Sequence, residues 1–303
     1  MQEECAASLV ITTRNRVAEL VRSLESAIRQ TVPLDIILLD DASSDGTPEI
    51  VRREFPSVRL ITNEQRQGYI RLRNIGAQLA KRPIIFSIDD DAVFTTPNIA
   101  AKTLDAFRSP RVGAVAIPFV DVNITPEMQQ LSPDPNEPYA TAWYIGTAHA
   151  LRRDIFLAHG GYNELFVHQH EERDYCARML SAGYVVRLGY SEPIHHFASP
   201  KRETARQDFY TARNNILIHW CNTPSPDIVW RLFRSTAGNL IYGLRNGRTI
   251  QFAKGVLAGW QEIIGGQIPR SPLPKETHRM FRRLESSPTR LAEIEHLLPP
   301  LAD

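Results

Sequence analysis

Apolar and polar positions in the first part of the chain switch repeatedly between a short run and a helical period. Ser8 to Thr12 is a short apolar run ending in Thr-Arg-Asn and reads as a buried strand. Val17, Leu20, Val21, Leu24, Ala27 and Ile28 then recur at helical spacing, with Pro33 soon after. Asp35 to Asp40 is apolar on both faces, as expected of a strand covered by two layers. Asp45-Gly-Thr-Pro48 predicts a helix start with proline in its first turn. Val58 to Thr62, Ile84 to Ile88 and Val112 to Val120 predict further strands, and Tyr69 to Ala80 and Asn98 to Phe107 predict helices. Strands alternating with helices over short connections imply an α/β fold with a mainly parallel sheet covered on both faces.

Beyond this the pattern loosens. Pro126 to Pro138 is rich in Pro, Asp, Asn and Ser and reads as a mobile surface loop. Order returns from Trp143 to about Trp220, the chain is helical from Ile228, and Pro269 to Pro274 marks a linker before a charged tail. The expected division is an α/β domain over residues 1–220 and a helical region with its tail over 221–303.

Composition narrows the setting. With 35 basic and 34 acidic residues, the net charge of +1 exerts no general pull on nucleic acid. Cys5, Cys176 and Cys221 are odd in number, far apart and free of a CxxC pair, which favours a reducing compartment. The Met-Gln-Glu-Glu-Cys start lacks signal-peptide character, and no apolar run reaches the ~18–20 residues of a membrane span. The expectation is a cytoplasmic protein, soluble or peripheral at the inner face of the membrane.

In a parallel α/β sheet, ligands bind beyond the carboxyl ends of the strands, and two predicted strands end in acid there: Asp40-Asp41 and Asp89-Asp90-Asp91. Three successive carboxylates at a buried strand end repel one another unless a cation joins them, and their oxygens suit Mn2+ or Mg2+. The plainer alternative is an acidic turn capping the next helix. Asp40 and Asp41 could cap with Ser43, Ser44 and Asp45, or Asp41 could accept a hydrogen bond from a nucleobase N–H. His168, His170, His195 and His196 match no zinc-ligand spacing, and Trp143, Tyr144, Tyr162 and Phe166 read as core.

Ser8-Leu-Val-Ile-Thr-Thr-Arg-Asn15, Leu39-Asp-Asp-Ala-Ser-Ser-Asp-Gly-Thr47, Gly68 through Arg73-Asn74-Ile-Gly76 and Phe86-Ser-Ile-Asp-Asp-Asp91 stand in one order. They continue into Leu151-Arg-Arg-Asp154, Gly160-Gly-Tyr-Asn-Glu164 and Glu171-Glu-Arg-Asp174, with Arg178 and Gly183-Tyr184 behind. This order, over about residues 8 to 215, resembles the inverting family 2 glycosyltransferases, whose fold is the Rossmann-type GT-A domain.

The resemblance implies a nucleotide site at Thr12, Arg14, Asp40, Asp41, Arg73, Asp89 and Asp90. Asp41 would hold the base, Asp40 would support the turn and Arg73 would lie near the diphosphate. Asp89 and Asp91 match the DxD carboxylates that bind Mn2+ or Mg2+, and a histidine after the last strand, His196 or alternatively His195, would join them. Glu172 falls at the position of the catalytic base, with Glu171 beside it and Asp174 as another candidate. His168 and His170 would border the acceptor cleft. The chain departs from the family habit at Ala42, where Gly is usual, at Asn163, where Asp is usual, and in having Glu-Glu at the base.

The implied partners are a nucleoside-diphosphate sugar (UDP, dTDP or GDP) and a carbohydrate, lipid-linked or small-molecule acceptor, with no nucleic acid. Two other functions would fit some of the same residues: a metal-dependent hydrolase built on the Asp and His clusters, or an inactive nucleotide-sugar-binding module. Arg213 in Tyr210 to Asn215 pairs with a core carboxylate or reaches the diphosphate. Between Ile228 and Gln261 there are five basic residues and no acidic one, which predicts either helices packed on the domain or a basic amphipathic contact with anionic lipid. The same helices could form a homodimer contact.

Overall fold

The structure is a computed structural model and describes residues 5–198, 204–266 and 268–301. The chain runs β1 (Ala7–Thr13), α1 (Val17–Ile28), β2 (Leu34–Asp40), α2 (Thr47–Glu54), β3 (Arg59–Thr62), α3 (Tyr69–Leu79), β4 (Ile84–Ile88), β5 (Ala92–Phe94) and α4 (Ile99–Asp105). It continues through β6 (Val112–Ala116), β7 (Phe119–Asp121), β8 (Thr125–Gln129), β9 (Tyr139–Thr141), β10 (Ala148–Arg152), α5 (Arg153–Ala158), α6 (Glu171–Ser181), β11 (Val185–Leu188) and β12 (Ile194–His196). The C-terminal part is α7 (Thr204–Asn222), α8 (Asp227–Arg245), α9 (Thr249–Ile264), α10 (Lys275–Ser286), β13 (Thr289–Arg290) and α11 (Leu291–Ile294).

The expected strands β3, β2, β1 and β4 lie side by side and are all parallel. The sheet then becomes mixed, running through β10, β6, β11, β9 and β13 to a total of nine strands, with β10 antiparallel to both its neighbours. β4 and β6 are buried along their whole length and β2 over its last five residues, as an apolar run covered on both sides requires.

One expected strand is two. Val112 to Val120 breaks at Pro118, which has no N–H to give to a ladder. β6 stays in the main sheet, while β7 crosses into a second sheet ordered β5-β12-β7-β8. The expected mobile loop from Pro126 is corrected at its start. β8 pairs with β7, Gln130 donates through Nε2 to the carbonyls of Ile117 and Ala148, and Ser132 N donates to Gly189 O.

The C-terminal helices fold back onto the sheet domain. α7 and α9 lie close because α9 carries glycine at the contact; a Cβ on Gly255 would meet the Phe209 carbonyl oxygen at 2.2 Å and Ala212 Cβ at 2.9 Å. Arg213 of α7 forms a paired contact with Glu262 of α9 at 2.7 and 2.6 Å, the core-carboxylate role among its two expected ones. The Pro269 to Pro274 segment is docked rather than loose, with Ser271 N and Leu273 N donating to the carbonyls of Cys221 and Asn222. The expected boundary at 220 falls near the end of α7, and β13 adds a last strand to the main sheet through β9.

Because a backbone oxygen cannot swing aside, Gly255→Ala is expected to destabilise the protein by about 1–3 kcal/mol, measured by chemical denaturation. An unchanged midpoint would contradict this close-packed contact.

Candidate active site

β1, β2 and β4 end at one rim, where a cleft of about 650 Å3 opens. The β1–α1 turn supplies Thr12, Arg14 and Arg16, and Asp41 follows β2. Asp89, Asp90 and Asp91 follow β4, with Tyr69 and Arg73 of α3 beside them. Glu172, at the start of α6, and His196, ending β12, close the cleft from the other elements.

The three aspartates are answered separately. Asp90 is turned inward, accepting from Thr13 Oγ1 at 2.8 Å and Arg16 Nη1 at 3.1 Å, so its carboxyl supports the cluster instead of reaching outward. Burial pushes its pKa up to about 7, against the opposing pull of Arg16. Asp91 accepts from Arg16 Nη1 at 2.7 Å and lies 3.1 Å from His196 Nε2. Burial raises Asp91, but His196 and Arg16 outweigh it and hold its carboxyl below the usual range. Asp89 accepts from Arg73 Nη2 at 2.8 Å.

The second sheet is what brings His196 here. β12 pairs antiparallel with β5, directly after the aspartates, and Phe197 N donates to the Asp91 carbonyl. Asp121, ending β7, sits 3.3 Å from the other ring nitrogen, Nδ1. One ligand atom from each of Asp89, Asp91 and His196 lies within 4.8 Å of the others. Two carboxylates and an imidazole backed by a further carboxylate form a donor set that fits a divalent ion such as Mn2+. Of the two histidines, His195 is the one set aside. Neighbouring strand residues point to opposite faces, and its ring lies near Phe197, 6.3 Å between centroids, away from the aspartates.

Arg73 spans the cleft. While Nη2 holds Asp89, Nη1 lies 3.6 Å from Glu172 Oε1 and 3.9 Å from Glu171 Oε1. Burial opposes the Arg73 charge, but these carboxylates more than offset it and raise its pKa. Glu172 lines the cleft, whereas Glu171 is fully buried behind it. Burial raises both carboxyls, and the charge of Glu171 raises Glu172 further. Gly146 leaves the room they need, since a Cβ there would meet Glu172 Oε1 at 2.1 Å. Asp174 is corrected as a candidate base: it is buried away from the cleft, accepting from Arg178 Nε at 2.9 Å and Asn222 Nδ2 at 3.1 Å.

At the other end, Asp41 accepts from Gln67 N at 2.5 Å and Gly68 N at 3.2 Å, and Arg66 lies 4.0 Å away. Asp40 accepts from Ser43 N at 3.0 Å and so supports the turn. Ala42 in that turn has φ +60°, which explains why glycine is usual there; alanine adopts this conformation at a cost of about 1–2 kcal/mol. His168 borders the cleft, but His170 does not. It is half-buried and bonded through Nε2 to Asn215 Oδ1 at 2.9 Å. Among the described residues Tyr69 is the aromatic lining the cleft; Tyr144, Tyr162 and Phe166 are core. Arg16, Asp121 and Tyr69 were not expected at the site. Arg16 directly follows the first matched segment, which was a usable signal, while Asp121 has no local pattern.

This cleft, with carboxylates at the strand ends of a mixed α/β sheet, lies where ligands of such sheets bind. The chain belongs to glycosyl transferase family 2, whose sequence profile matches residues 8–162. It is 26% identical over 226 residues to an uncharacterized glycosyltransferase of Haemophilus influenzae, covering 71% of this chain and 72% of the relative. In fold it is similar to Staphylococcus aureus TarS 1-349 in complex with UDP-GlcNAc, with TM-score 0.63, 12% identity, and 96% and 88% of the two chains covered. It is also similar to a mannosyltransferase of Pyrobaculum calidifontis in complex with GDP-Man and Mn2+, with TM-score 0.56, 18% identity, and 93% and 85% covered. The protein is a glycosyltransferase.

The raised pKa of Glu172 sets a pH signature. Its folded-state carboxyl stays protonated where the unfolded one ionises, so its contribution to stability is full below the ordinary carboxylate range and is lost as pH climbs through the raised value. Without added metal, Glu172→Gln is expected to melt close to wild type at the acid end of the ordinary carboxylate range and increasingly above it as pH rises. A melting difference that stays flat or shrinks with pH would contradict the placement of this buried carboxyl pair.

Proposed function

We propose that this enzyme is a metal-dependent glycosyltransferase that moves a sugar, with inversion, from a nucleoside-diphosphate sugar to an acceptor hydroxyl. The observation that carries the reading is the pairing, across one cleft, of the Asp89, Asp91 and His196 ligand atoms with the buried carboxyl of Glu172. The solved neighbours hold GDP-Man with Mn2+ and UDP-GlcNAc in their complexes, which supports a donor carrying UDP, dTDP or GDP.

Asp89, Asp91 and His196 would hold Mn2+ or Mg2+, which when bound stabilises the negative charge of a departing diphosphate as a Lewis acid. Arg73, next to Asp89 and charged, adds a fixed positive group on the same side. Thr12, Arg14 and Asp41 line the part of the cleft assigned to the nucleotide, with Asp41 facing the base N–H. In its ionised form Glu172 takes the proton of the acceptor hydroxyl at its Oε as that oxygen attacks, and the elevated pKa makes that form a stronger base than a free carboxylate. Attack from the side opposite the leaving group inverts the anomeric centre.

The acceptor in this reading is a carbohydrate, lipid-linked or small-molecule hydroxyl. The catalytic part takes residues 1–220, and 221–303 form its helical companion and a candidate homodimer surface. Among the described residues no helix is long and apolar enough to cross a membrane. Peripheral membrane contact through α8 is part of the reading and is supported by its exposed Val229, Trp230, Phe233 and Leu244.

Two variants separate the roles. Asp91→Ala is expected to lose Mn2+-dependent nucleotide binding by calorimetry. Glu172→Gln is expected to bind donor normally and lose about 100-fold or more of its transfer rate. Unchanged affinity in the first, or normal turnover in the second, would overturn the corresponding assignment.

A further inference from the structure

A second cavity, of about 550 Å3, lies behind the catalytic cleft among α6, α7, α8, α9 and α10. Five arginines line it: Arg173, Arg231, Arg234, Arg248 and Arg282. Glu285 pairs with Arg173 and Arg282, and Asp208 pairs with Arg248 at 3.3 Å. Among the described residues no carboxylate forms a salt bridge with Arg231 or Arg234, although Glu285 and Asp227 act on Arg231 at longer range. Arg234 and Arg248 are exposed and the other three half-buried, so these like charges repel one another across an open cavity, and an anion there would relieve the repulsion. His219, on the same wall, registers the field: burial and the charges of Arg173, Arg231 and Arg282 push its pKa down to about 3. Burial and the charge of Arg282 also lower Arg231. Planar guanidinium forks converging from different helices match the oxygens of a phosphate group.

The cavity has a second character along one edge. Arg231, Arg234, Gly238 and Tyr242 recur at three- and four-residue spacing, so one stripe of α8 forms its wall. The neighbouring stripe carries Trp230, Phe233, Ile241 and Leu244, all exposed, with the Trp230 and Phe233 rings stacked 5.9 Å apart. An apolar stripe with tryptophan, bordered by arginines and with Asp227 in the first turn as the one acidic residue of α8, is the pattern of a helix lying in a lipid interface. The wall toward the active site is thin. Gln207 lines both cavities, Thr211 Oγ1 donates to Gln169 Oε1 at 2.7 Å, and Asn215 bonds His170, the residue before the base helix.

We propose that this arginine cavity is a phosphate site for a membrane lipid, with the guanidiniums of Arg231 and Arg234 holding the phosphate while the apolar stripe of α8 lies among the acyl chains. The inference rests on the membrane contact proposed above and is independent of the donor, metal and base assignments. It makes the membrane contact specific: the lipid phosphate is held one layer from the catalytic cleft, which suits an acceptor borne on a phosphate-linked lipid.

The test is co-sedimentation of the full chain, in EDTA and about 0.15 M salt, with phosphatidylglycerol or phosphatidylcholine vesicles. Wild type is expected to bind the anionic vesicles and to be displaced by inorganic pyrophosphate. The R231Q/R234Q variant is expected to lose about tenfold or more of that partition, and R245Q/K254Q, which removes equal charge outside the cavity, several-fold less. Equal losses in the two variants would overturn the cavity while leaving the membrane contact standing. No vesicle binding by wild type would overturn both. In that case, pyrophosphate binding that still depends on Arg231 and Arg234 would reassign the cavity to a soluble phosphate.

Discussion

Three adjacent carboxylates at the end of a buried strand are the constraint around which this structure is arranged. Asp89, Asp90 and Asp91 cannot all be ionised in a half-dry pocket without nearby positive groups, and three such groups converge on them. Arg16 from the first turn serves Asp90 and Asp91, Arg73 from α3 serves Asp89, and His196 from the second sheet serves Asp91. Elements distant in sequence converge because the acid cluster needs them. The same crowding leaves Asp89, Asp91 and His196 as a partly neutralised donor set facing the cleft.

Arg73 links this cluster to the base. Its guanidinium lies between Asp89 and the Glu171–Glu172 pair, so the leaving-group side and the acceptor side of the cleft share one buried cation. A change in charge on either side is felt through Arg73 on the other. Space for the arrangement comes from Gly146, whose missing side chain is occupied by Glu172. The helical C-terminal part supports it from behind: Asn214 of α7 donates to the carbonyls of Phe166, His168 and Gln169, fixing the segment that leads into α6.

What could be read in advance was what local pattern encodes. The parallel strands β1 to β4 announce themselves as apolar runs, and the acid at the ends of β2 and β4 marks the cleft. The ordered segments from Ser8 to Asp174 anticipated Asp41, Arg73, Asp89, Asp91 and Glu172 around one cavity. The second sheet was hidden because its strands are only three to five residues long and β7 follows β6 without a polar turn. With it went Asp121, whose partnership with His196 is purely tertiary. Asp174 stood as another candidate beside Glu172 on one acidic turn, but helix geometry turns it toward Arg178, four residues on. The basic stretch from Ile228 to Gln261 read as helices either packed on the domain or facing lipid, and the fold shows Trp230, Phe233 and Leu244 of α8 exposed.

The central claim is that a nucleoside diphosphate and a divalent ion bind this cleft together. Its most direct measurement is the thermal stability of the protein with UDP, dTDP, GDP and, as a control, NAD, each with and without Mn2+. A ligand that binds the folded state raises the melting temperature by mass action, whatever the acceptor. The account predicts a rise with at least one of the three diphosphates that depends on Mn2+ and is absent with NAD. A rise with Mn2+ alone and none with any nucleotide would contradict it.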